Sequence, residues 1–202
     1  MMRPISIEDA FCRYLKDVAF VQPEHLSQLM EMVSRKDIKK NEFLLSKGQI
    51  CQNIFFVEKG LLRFYSIDDV GKEHIIQFAP ENWFISDRGS LYFGKPTEFF
   101  IDAIEDTSLI VFDQNFTLYA SDISAEFRIH NEYLLQNHIR HLQHRIHMLI
   151  GAGAEERYLD FIQLYPELTL RIPQWMIATF LGITPESLSR VRKELASRNQ
   201  MA

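Results

Sequence analysis

The spacing of hydrophobic residues differs between successive segments of the chain, and each spacing predicts a different structure. Between residues 5 and 34, apolar side chains recur at three- and four-residue steps, the period of an amphipathic helix. Pro23, followed by the acidic Glu24, matches the first turn of a second helix in this stretch. We therefore expect the chain to begin with helices.

Residues 36–113 instead contain short apolar runs that are rich in β-branched and aromatic residues. The runs cover residues 43–45, 54–57, 61–65, 74–78, 99–104 and 109–112. Turn-forming residues such as Lys47-Gly48, Lys59-Gly60 and Gly94-Lys95-Pro96 separate them. Short strands at this spacing are typical of an antiparallel barrel or roll. We predict an α+β fold in which N-terminal helices and an antiparallel β-roll form a domain over residues 1–120.

A stretch of about thirty residues, 121–150, contains neither Gly nor Pro and predicts one long helix. Its apolar residues are spaced by four, three, four and three positions, which makes a heptad seam with Ile at a and Leu at d. In parallel coiled coils this assignment favours two strands. The seam covers little more than two heptads, so a helix packed on its own domain stays an alternative. The predicted dimer-interface residues are Leu135, Ile139, Leu142, Ile146 and Leu149.

Gly151-Ala152-Gly153-Ala154 interrupts this helix and is the best hinge or linker candidate in the chain. A further helix is expected from Glu155 to Tyr165, where Pro166 ends it. Residues 151–202 are therefore predicted to be a separate, small helical domain.

Residues 172–195, IPQWMIATFLGITPESLSRVRKEL, contain the most informative pattern. Ala178 permits close contact between helices, and Gly182 lies four residues later, where a tight turn is needed. Thr184-Pro185-Glu186 predicts a helix start, with a hydroxyl N-cap, Pro at the first helical position and an acid in the first turn. The pattern predicts a helix-turn-helix; an ordinary helical hairpin with a charged outer face is the alternative.

The second helix of this motif carries residue types suited to the DNA major groove. Arg190 can form a bidentate contact with guanine, and Glu186 can accept a hydrogen bond from a cytosine amine. Thr184 and Ser187 suit phosphate contacts at the helix start, where free N–H groups also face the anion. The predicted DNA-binding residues are Thr184, Glu186, Ser187, Ser189, Arg190, Arg192 and Lys193.

Nearly the whole chain resembles the Crp/Fnr family of bacterial transcriptional regulators. The resemblance rests on the segment FFVEKGLLR at residues 55–63, on the long helix after the roll, and on the helix-turn-helix. It implies a cyclic-nucleotide-binding-type β-roll, a dimerisation helix and a C-terminal DNA-binding domain. It also implies homodimers that bind two half-sites of double-stranded DNA and activate or repress transcription, with RNA polymerase and a small-molecule effector as further candidate partners.

The effector site departs from the pattern of relatives that bind cyclic AMP. Those relatives have a Gly-Glu pair for the ribose hydroxyl and, about ten residues later, an Arg followed by Ser or Thr for the cyclic phosphate. Here the aligned positions are Ser86-Asp87 and Thr97-Glu98, so the arginine is missing and Glu98 would repel an anion. Arg88 or Lys95 could compensate only if the loop folds unusually.

The resemblance therefore leaves a candidate effector pocket that is not expected to bind cyclic AMP. Its residues are Ser86, Asp87, Arg88, Thr97 and Glu98. The roll can hold another ligand, or it can serve only as a scaffold or a protein-contact surface.

Cysteine and histidine usage argues against a metal or other cofactor. Cys12 and Cys51 are too few for the four-thiolate iron–sulfur cluster of the family's oxygen sensors or for a four-thiolate zinc site. Among the histidines, 138, 141, 144 and 147 follow three-residue steps, and each step lags a helical repeat by about 60°. These side chains, with His130 nearby, are expected to form a solvated face or a contact to the roll; a pH-dependent dimer is a lesser hypothesis.

Net charge does not argue against DNA binding. The chain has 22 basic and 27 acidic residues, a formal charge of −5. Residues 171–202 contain five basic and two acidic residues and so carry +3, which leaves −8 for the remainder. An acidic body would repel the phosphate backbone away from the contact face, so we expect modest non-specific affinity.

Other function classes find less support in the sequence. The chain has no P-loop, no nucleophile elbow and no His-Glu-x-x-His motif, so we do not expect an enzyme. No secretory signal and no run of 18 apolar residues is present, so we expect a cytoplasmic protein without a membrane partner. The open alternative is a ligand-binding or protein-interaction module whose helix-turn-helix no longer recognises DNA, because Pro185 stands where many relatives carry Arg.

Overall fold

The computed structural model describes residues 9–200, with side chains for residues 9–198, and divides into two compact units. The first unit comprises residues up to 66 together with 76–136, and the second comprises 67–75 together with 137–200. Residues 5–8 of the predicted N-terminal helix lie outside the described residues. Within the described residues, no helix combines the length and apolar character needed to cross a membrane.

The N-terminal region of the first unit is helical, as predicted, but broken into short pieces. Helix α1 (Ala10–Arg13) leads into one π-helical turn (Tyr14–Val18), and helix α2 spans Pro23–Glu31 with Pro23 in its first turn. Phe20, between the pieces, has a φ of 56°, which no helix can accommodate. The second helix thus begins at Pro23, as predicted, and Phe20 lies in the break before it.

Within residues 9–200, eight strands form the predicted antiparallel β-roll. Their bounds are β1 Ser34–Ile38, β2 Phe43–Leu45, β3 Ile54–Lys59, β4 Leu62–Ile67, β5 Glu73–Ala79, β6 Phe84–Ile85, β7 Phe100–Ala103 and β8 Thr107–Phe112. They make two four-stranded sheets, in the orders β1-β8-β3-β6 and β2-β7-β4-β5. A short helix, α3 (Arg88–Phe93), connects β6 and β7. This architecture confirms the predicted α+β fold class.

Among the described residues, two hydrophobic clusters contribute to the core of the first unit. One lies between the sheets and includes Val57, Leu62 and Leu109, each completely buried. The other packs the N-terminal helices onto the outer side of β3 and β8, where Phe11 stacks with Phe112 at 5.4 Å between ring centroids. Burial of this much apolar surface is the main force that stabilises the roll.

A polar cluster is buried in the second sheet. Arg63 on β4 pairs directly with Asp102 on β7, and its guanidinium donates to both carboxylate oxygens, at 2.7 and 2.9 Å. The Tyr65 hydroxyl donates to the same carboxylate at 3.0 Å, and the guanidinium lies 4.1 Å from the Tyr65 ring centre. All three residues are at least nine-tenths buried. The bidentate geometry offsets the cost of burying the two charges.

The long helix begins slightly later than the pattern suggested. Residues 121–123 belong to helix α4 (Gln114–Ile123), and helix α5 spans Ala125–Gly151. The Ser124 hydroxyl oxygen accepts the N–H of Phe127 at 3.1 Å, which is the geometry of an N-cap. A serine cap therefore separates two helices that, without Gly or Pro between them, were predicted as one.

Four further helices follow in the second unit. They are α6 Ala154–Leu164, α7 Leu168–Arg171, α8 Gln174–Leu181 and α9 Pro185–Gln200. Helices α6, α8 and α9 contact one another around Phe161, Ile177 and Leu188, which are completely buried. Between α5 and α6 only residues 152 and 153 are not helical.

Candidate nucleic-acid interface

Helices α8 and α9 are joined by the tight turn that the sequence predicted. Gly182 takes the left-handed conformation, with a φ of 67°. The N–H of Ile183 donates to the Ala178 carbonyl at 3.0 Å, and the N–H of Gly182 donates to the Thr179 carbonyl at 3.2 Å. These bonds satisfy carbonyls that the helix end would otherwise leave without partners. Residues 174–200 thus form a helix-turn-helix.

Thr184 caps the start of α9. Its hydroxyl oxygen accepts the N–H of Ser187 at 3.2 Å, and its carbonyl accepts the N–H of Leu188 at 3.0 Å. Pro185 occupies the first helical position. Glu186 lies beside the helix start, where its own backbone N–H and the Thr184 hydroxyl hold the pKa of its carboxyl below the usual value. The capping signals in the sequence therefore specify where α9 begins.

The predicted DNA-binding residues lie mainly on the open side of α9. Leu188 and Val191 are buried against the other helices, so they turn the opposite face outward. Glu186, Ser189, Arg190 and Lys193 follow the i, i+3, i+4, i+7 spacing of one helix face. The exposed members of the predicted set are Thr184, Glu186, Ser189, Arg190 and Lys193, while Ser187 and Arg192 are half-buried.

Arg198, which adds to the positive charge of this segment, is engaged within the protein. Its guanidinium bonds to Glu155 on α6, which raises the pKa of Arg198. The cations most available to an anionic partner on α9 are therefore Arg190 and Lys193.

A second arginine, Arg157 on α6, holds the C-terminal ends of two helices. It donates to the Leu149 and Ala152 carbonyls at the end of α5, both at 3.0 Å, and to the Leu181 carbonyl at the end of α8, at 3.1 Å. Helix C-termini carry partial negative charge, so one cation stabilises both. Sequence reasoning missed Arg157 because backbone carbonyls leave no signature in the sequence.

The predicted dimer seam is open on the surface of the single chain. Of its members, Leu135 is half-buried, and Ile139, Leu142, Ile146 and Leu149 are 41, 41, 56 and 40% exposed. Met148, one position before Leu149, is buried inside the second unit. The helix therefore packs on its own unit with one face while the apolar seam points elsewhere.

The candidate effector residues meet only in part. The Thr97 hydroxyl donates to one carboxylate oxygen of Asp87 at 2.5 Å, and the other oxygen caps α3 by accepting the N–H of Ser90 at 3.1 Å. Asp87 and Thr97 are buried, whereas Ser86 is half-buried. Arg88 is exposed with its guanidinium 5.0 Å from the Tyr92 ring centre, and the exposed Glu98 pairs with Lys47 at 2.8 Å.

Comparison with known proteins agrees with these features. The cyclic nucleotide-binding domain family matches residues 35–118. The chain is 24% identical over 180 residues to the anaerobic regulatory protein of Pasteurella multocida, covering 83% of this chain and 65% of that protein. It is 28% identical over 182 residues to the transcriptional activator protein anr of Pseudomonas aeruginosa, covering 83% of this chain and 73% of that protein.

Among solved structures, FixK2 from Bradyrhizobium japonicum superposes with a TM-score of 0.71 at 20% identity, covering 83% of this chain and 86% of that one. The roll, the long helix and the helix-turn-helix thus occur together in the same order. The chain is similar in sequence and in fold to regulators of the Crp/Fnr family.

The candidate effector site is built around the carboxylate of Asp87. The buried carboxylate of Asp87 is itself an anion, and its oxygens already accept from Ser90 and Thr97. Two of the nearby cations have other contacts, Arg88 with the Tyr92 ring and Lys47 with Glu98.

The cysteines and several of the histidines of the chain make separate contacts. In the described part of the chain, no three His, Cys, Asp or Glu side chains are grouped so that they could hold a metal ion. Burial raises the pKa of both Cys12 and Cys51. His130 bonds to the Tyr14 hydroxyl at 2.6 Å, and His144 bonds to Asp160 at 2.7 Å.

Proposed function

We propose that the chain is a DNA-binding transcriptional regulator that acts as a homodimer and does not use cyclic AMP. The observation that carries the proposal is the exposed face of α9. Its polar and basic side chains, Ser189, Arg190 and Lys193, project from a helix whose start and packing are specified by Thr184 and Leu188. A helix presented in this way can enter the major groove. This function involves no catalytic step. A bacterial regulator of this kind acts in the cytoplasm, where the DNA is transcribed.

The exposed seam of α5 supports the homodimer. Four apolar residues at a and d positions are each at least 40% exposed in the single chain. A second copy of α5 would remove this surface from water, and each fully buried Leu or Ile contributes about 1.5–3 kcal/mol. Two copies related by a two-fold axis would then present two α9 helices to one DNA duplex.

The proposal is tested by selecting bound sequences from random double-stranded DNA with the purified chain. We expect a pseudo-palindromic motif whose half-sites lie about one helical turn, roughly 34–36 Å, apart. Failure to enrich any motif at low salt, where phosphate contacts are strongest, would contradict DNA recognition and favour the interaction-module alternative.

Replacing Arg190 with Ala is expected to relax sequence preference at one base pair of each half-site. Loss of a bidentate contact to a base should cost about 1–3 kcal/mol for the preferred site and much less for the site altered at that position. Binding titrations against the selected site and its single-base variants give the measurement. Lys193→Ala is the matched control, because loss of a phosphate contact should weaken all sites equally. If Arg190→Ala also lowers the affinity for all sites equally, the proposed role of Arg190 is wrong.

Cyclic AMP is expected not to bind the roll. Titration calorimetry of the full chain should show no saturable heat up to about 1 mM nucleotide. A Kd of about 1 mM corresponds to a binding free energy of roughly −4 kcal/mol. The thermal midpoint should also stay constant, since a ligand that binds the folded state raises it. Saturable binding that is abolished in Asp87→Asn would contradict this expectation.

A further inference from the structure

Arg145 on α5 joins two other parts of the second unit. One nitrogen of its guanidinium, Nη2, donates to the Ile75 carbonyl on β5 at 3.1 Å and to the Phe180 carbonyl on α8 at 2.8 Å. The guanidinium carbon lies 3.6 Å from the centre of the Phe180 ring. Both hydrogen-bond acceptors are backbone atoms. The contacts therefore fix the position of the backbone at these two residues, and not only of their side chains.

The two acceptors belong to different elements of the second unit. Phe180 lies in the last turn of α8. Strand β5 is at the edge of its sheet. The first residues of β5 form, with the preceding turn, the segment Ile67–Ile75, which we term the hairpin tip. Arg145 therefore ties α8 and the hairpin tip to the long helix through one side chain.

The environment keeps this cation charged. Burial lowers the pKa of Arg145 to about 10, which still leaves it protonated at neutral pH. Tyr165 and Asp160 act in the opposite direction and raise it. A buried guanidinium is costly unless its donors are used and its flat face is covered. The two carbonyls accept from the donors, and the Phe180 ring covers the flat face. Moving α8 away would remove the Phe180 contacts and leave the guanidinium in a strongly unfavourable environment.

We propose that Arg145 is a positioning residue that fixes the helix-turn-helix relative to α5 and to the hairpin tip. The inference rests on the proposed DNA-binding function. Helix α8 packs on α9, so a side chain that holds the end of α8 also determines where α9 points. Because each half-site must meet its own α9 at a set spacing, small displacements reduce operator affinity. Arg145 itself does not touch DNA in this mechanism.

The test compares Arg145→Ala and Arg145→Lys with wild type and with Arg140→Ala. Arg140 is a matched control: it is an exposed arginine of α5 whose guanidinium bonds to Asn137 on the same helix. Binding to the selected operator should weaken about 10- to 100-fold in Arg145→Ala, since bonds from a charged donor are lost. Arg145→Lys should bind more weakly than wild type despite its charge, because an ammonium cannot stack flat on the ring while it bonds to both carbonyls. Arg140→Ala should bind as wild type.

Two further readouts separate positioning from other roles. The slope of log affinity against log salt should not change in Arg145→Ala, whereas loss of a direct phosphate contact would reduce it by about one. Sedimentation equilibrium should show an unchanged dimer. A changed slope, a dissociated dimer or wild-type affinity in either Arg145 variant would each overturn the proposal.

Hydrogen exchange tests the same idea without DNA. Arg145→Ala should exchange faster than wild type both at residues 182–184 and at the hairpin tip, while Arg140→Ala changes neither. If the wild-type chain selects no DNA, the proposed function fails, and exchange still decides whether Arg145 couples the two segments. If the wild-type chain does select DNA, but Arg145→Ala speeds exchange at only one of the two segments or at neither, the proposed coupling is wrong and the proposed function is unaffected.

Discussion

Replacing Ile146 with Glu is expected to weaken the proposed dimer strongly. Ile146 is an a position of the seam and is 56% exposed in the single chain, so the fold of one chain does not depend on it. In a parallel pair the two a residues face each other, and two carboxylates would replace two apolar side chains there. Lost burial on both chains and like-charge repulsion should weaken dimerisation at least about 100-fold, roughly 3 kcal/mol.

Operator binding should fall with the dimer. When two α9 helices are linked, binding of the first raises the effective concentration of the second at its half-site, and a monomer has no such gain. Sedimentation equilibrium and titration of the selected operator provide the measurements. Asn137→Glu is the matched control, because position 137 is on the opposite face, where an acid can still accept from Arg140. A dimer that survives Ile146→Glu would show that another surface joins the chains.

Gly60→Ala should destabilise the β-roll strongly. Gly60 has a φ of 101°, and a β-carbon there would lie 2.5 Å from Thr107 Oγ1 and 2.7 Å from the Asp106 carbonyl oxygen. The carbonyl belongs to the backbone just before β8, and the Thr107 hydroxyl oxygen accepts the N–H of Leu61. Neither group can move away without disturbing the strands beside it, so the chain must distort.

Gly48→Ala separates this clash from the strain of the backbone conformation. Gly48 has a φ of 87° and nothing within 4 Å of an added β-carbon. It should therefore show only the conformational cost, about 1–2 kcal/mol. Gly60→Ala should lower the free energy of unfolding by at least about 2 kcal/mol more than Gly48→Ala. Urea unfolding of the three proteins measures the difference, and equal values would mean that the roll yields easily around β8.

Local signals in the sequence predicted the apolar strands and the helix-turn-helix well. Residues 54–57 are a buried segment of β3 and residues 62–65 lie in β4, and Gly182 and Thr184 form the turn and cap that their residue types suggested. Strand β1 (Ser34–Ile38) was not predicted, and residue 34 was assigned to the helical region, because residues 34–37 are polar. It pairs only with β8 at the edge of its sheet, where charged side chains face solvent and protect the edge.

The effector site shows what alignment with a family pattern cannot predict. The aligned positions Asp87 and Thr97 do come together, as the family pattern implies. Their hydrogen bond to each other, and the use of the second Asp87 oxygen to cap α3, depend on a tertiary arrangement of residues ten positions apart. Residue types alone could show that an arginine was missing but not that the remaining polar groups already satisfy one another.

Arg145 and Arg157 could not be predicted for a different physical reason. Their acceptors are backbone carbonyls, which every residue possesses, so no residue pairing in the sequence marks them. By the heptad register, Arg145 occupies a g position, where a basic residue normally indicates a solvated flank of a coiled coil. Its burial against Phe180 becomes visible only when α5, α8 and β5 are seen together.

The buried pair of Arg63 and Asp102 has a consequence for how the roll assembles. Strands β4 and β7 are distant in the chain, and apolar side chains alone would tolerate several alignments between them. A shift of the β4–β7 pairing by one residue would turn the guanidinium toward the apolar space between the sheets. A shift by two residues would leave the two charges buried but no longer paired with each other. Misaligned pairings of β4 with β7 are therefore less stable than the native pairing. The ion pair thus favours one strand alignment during folding.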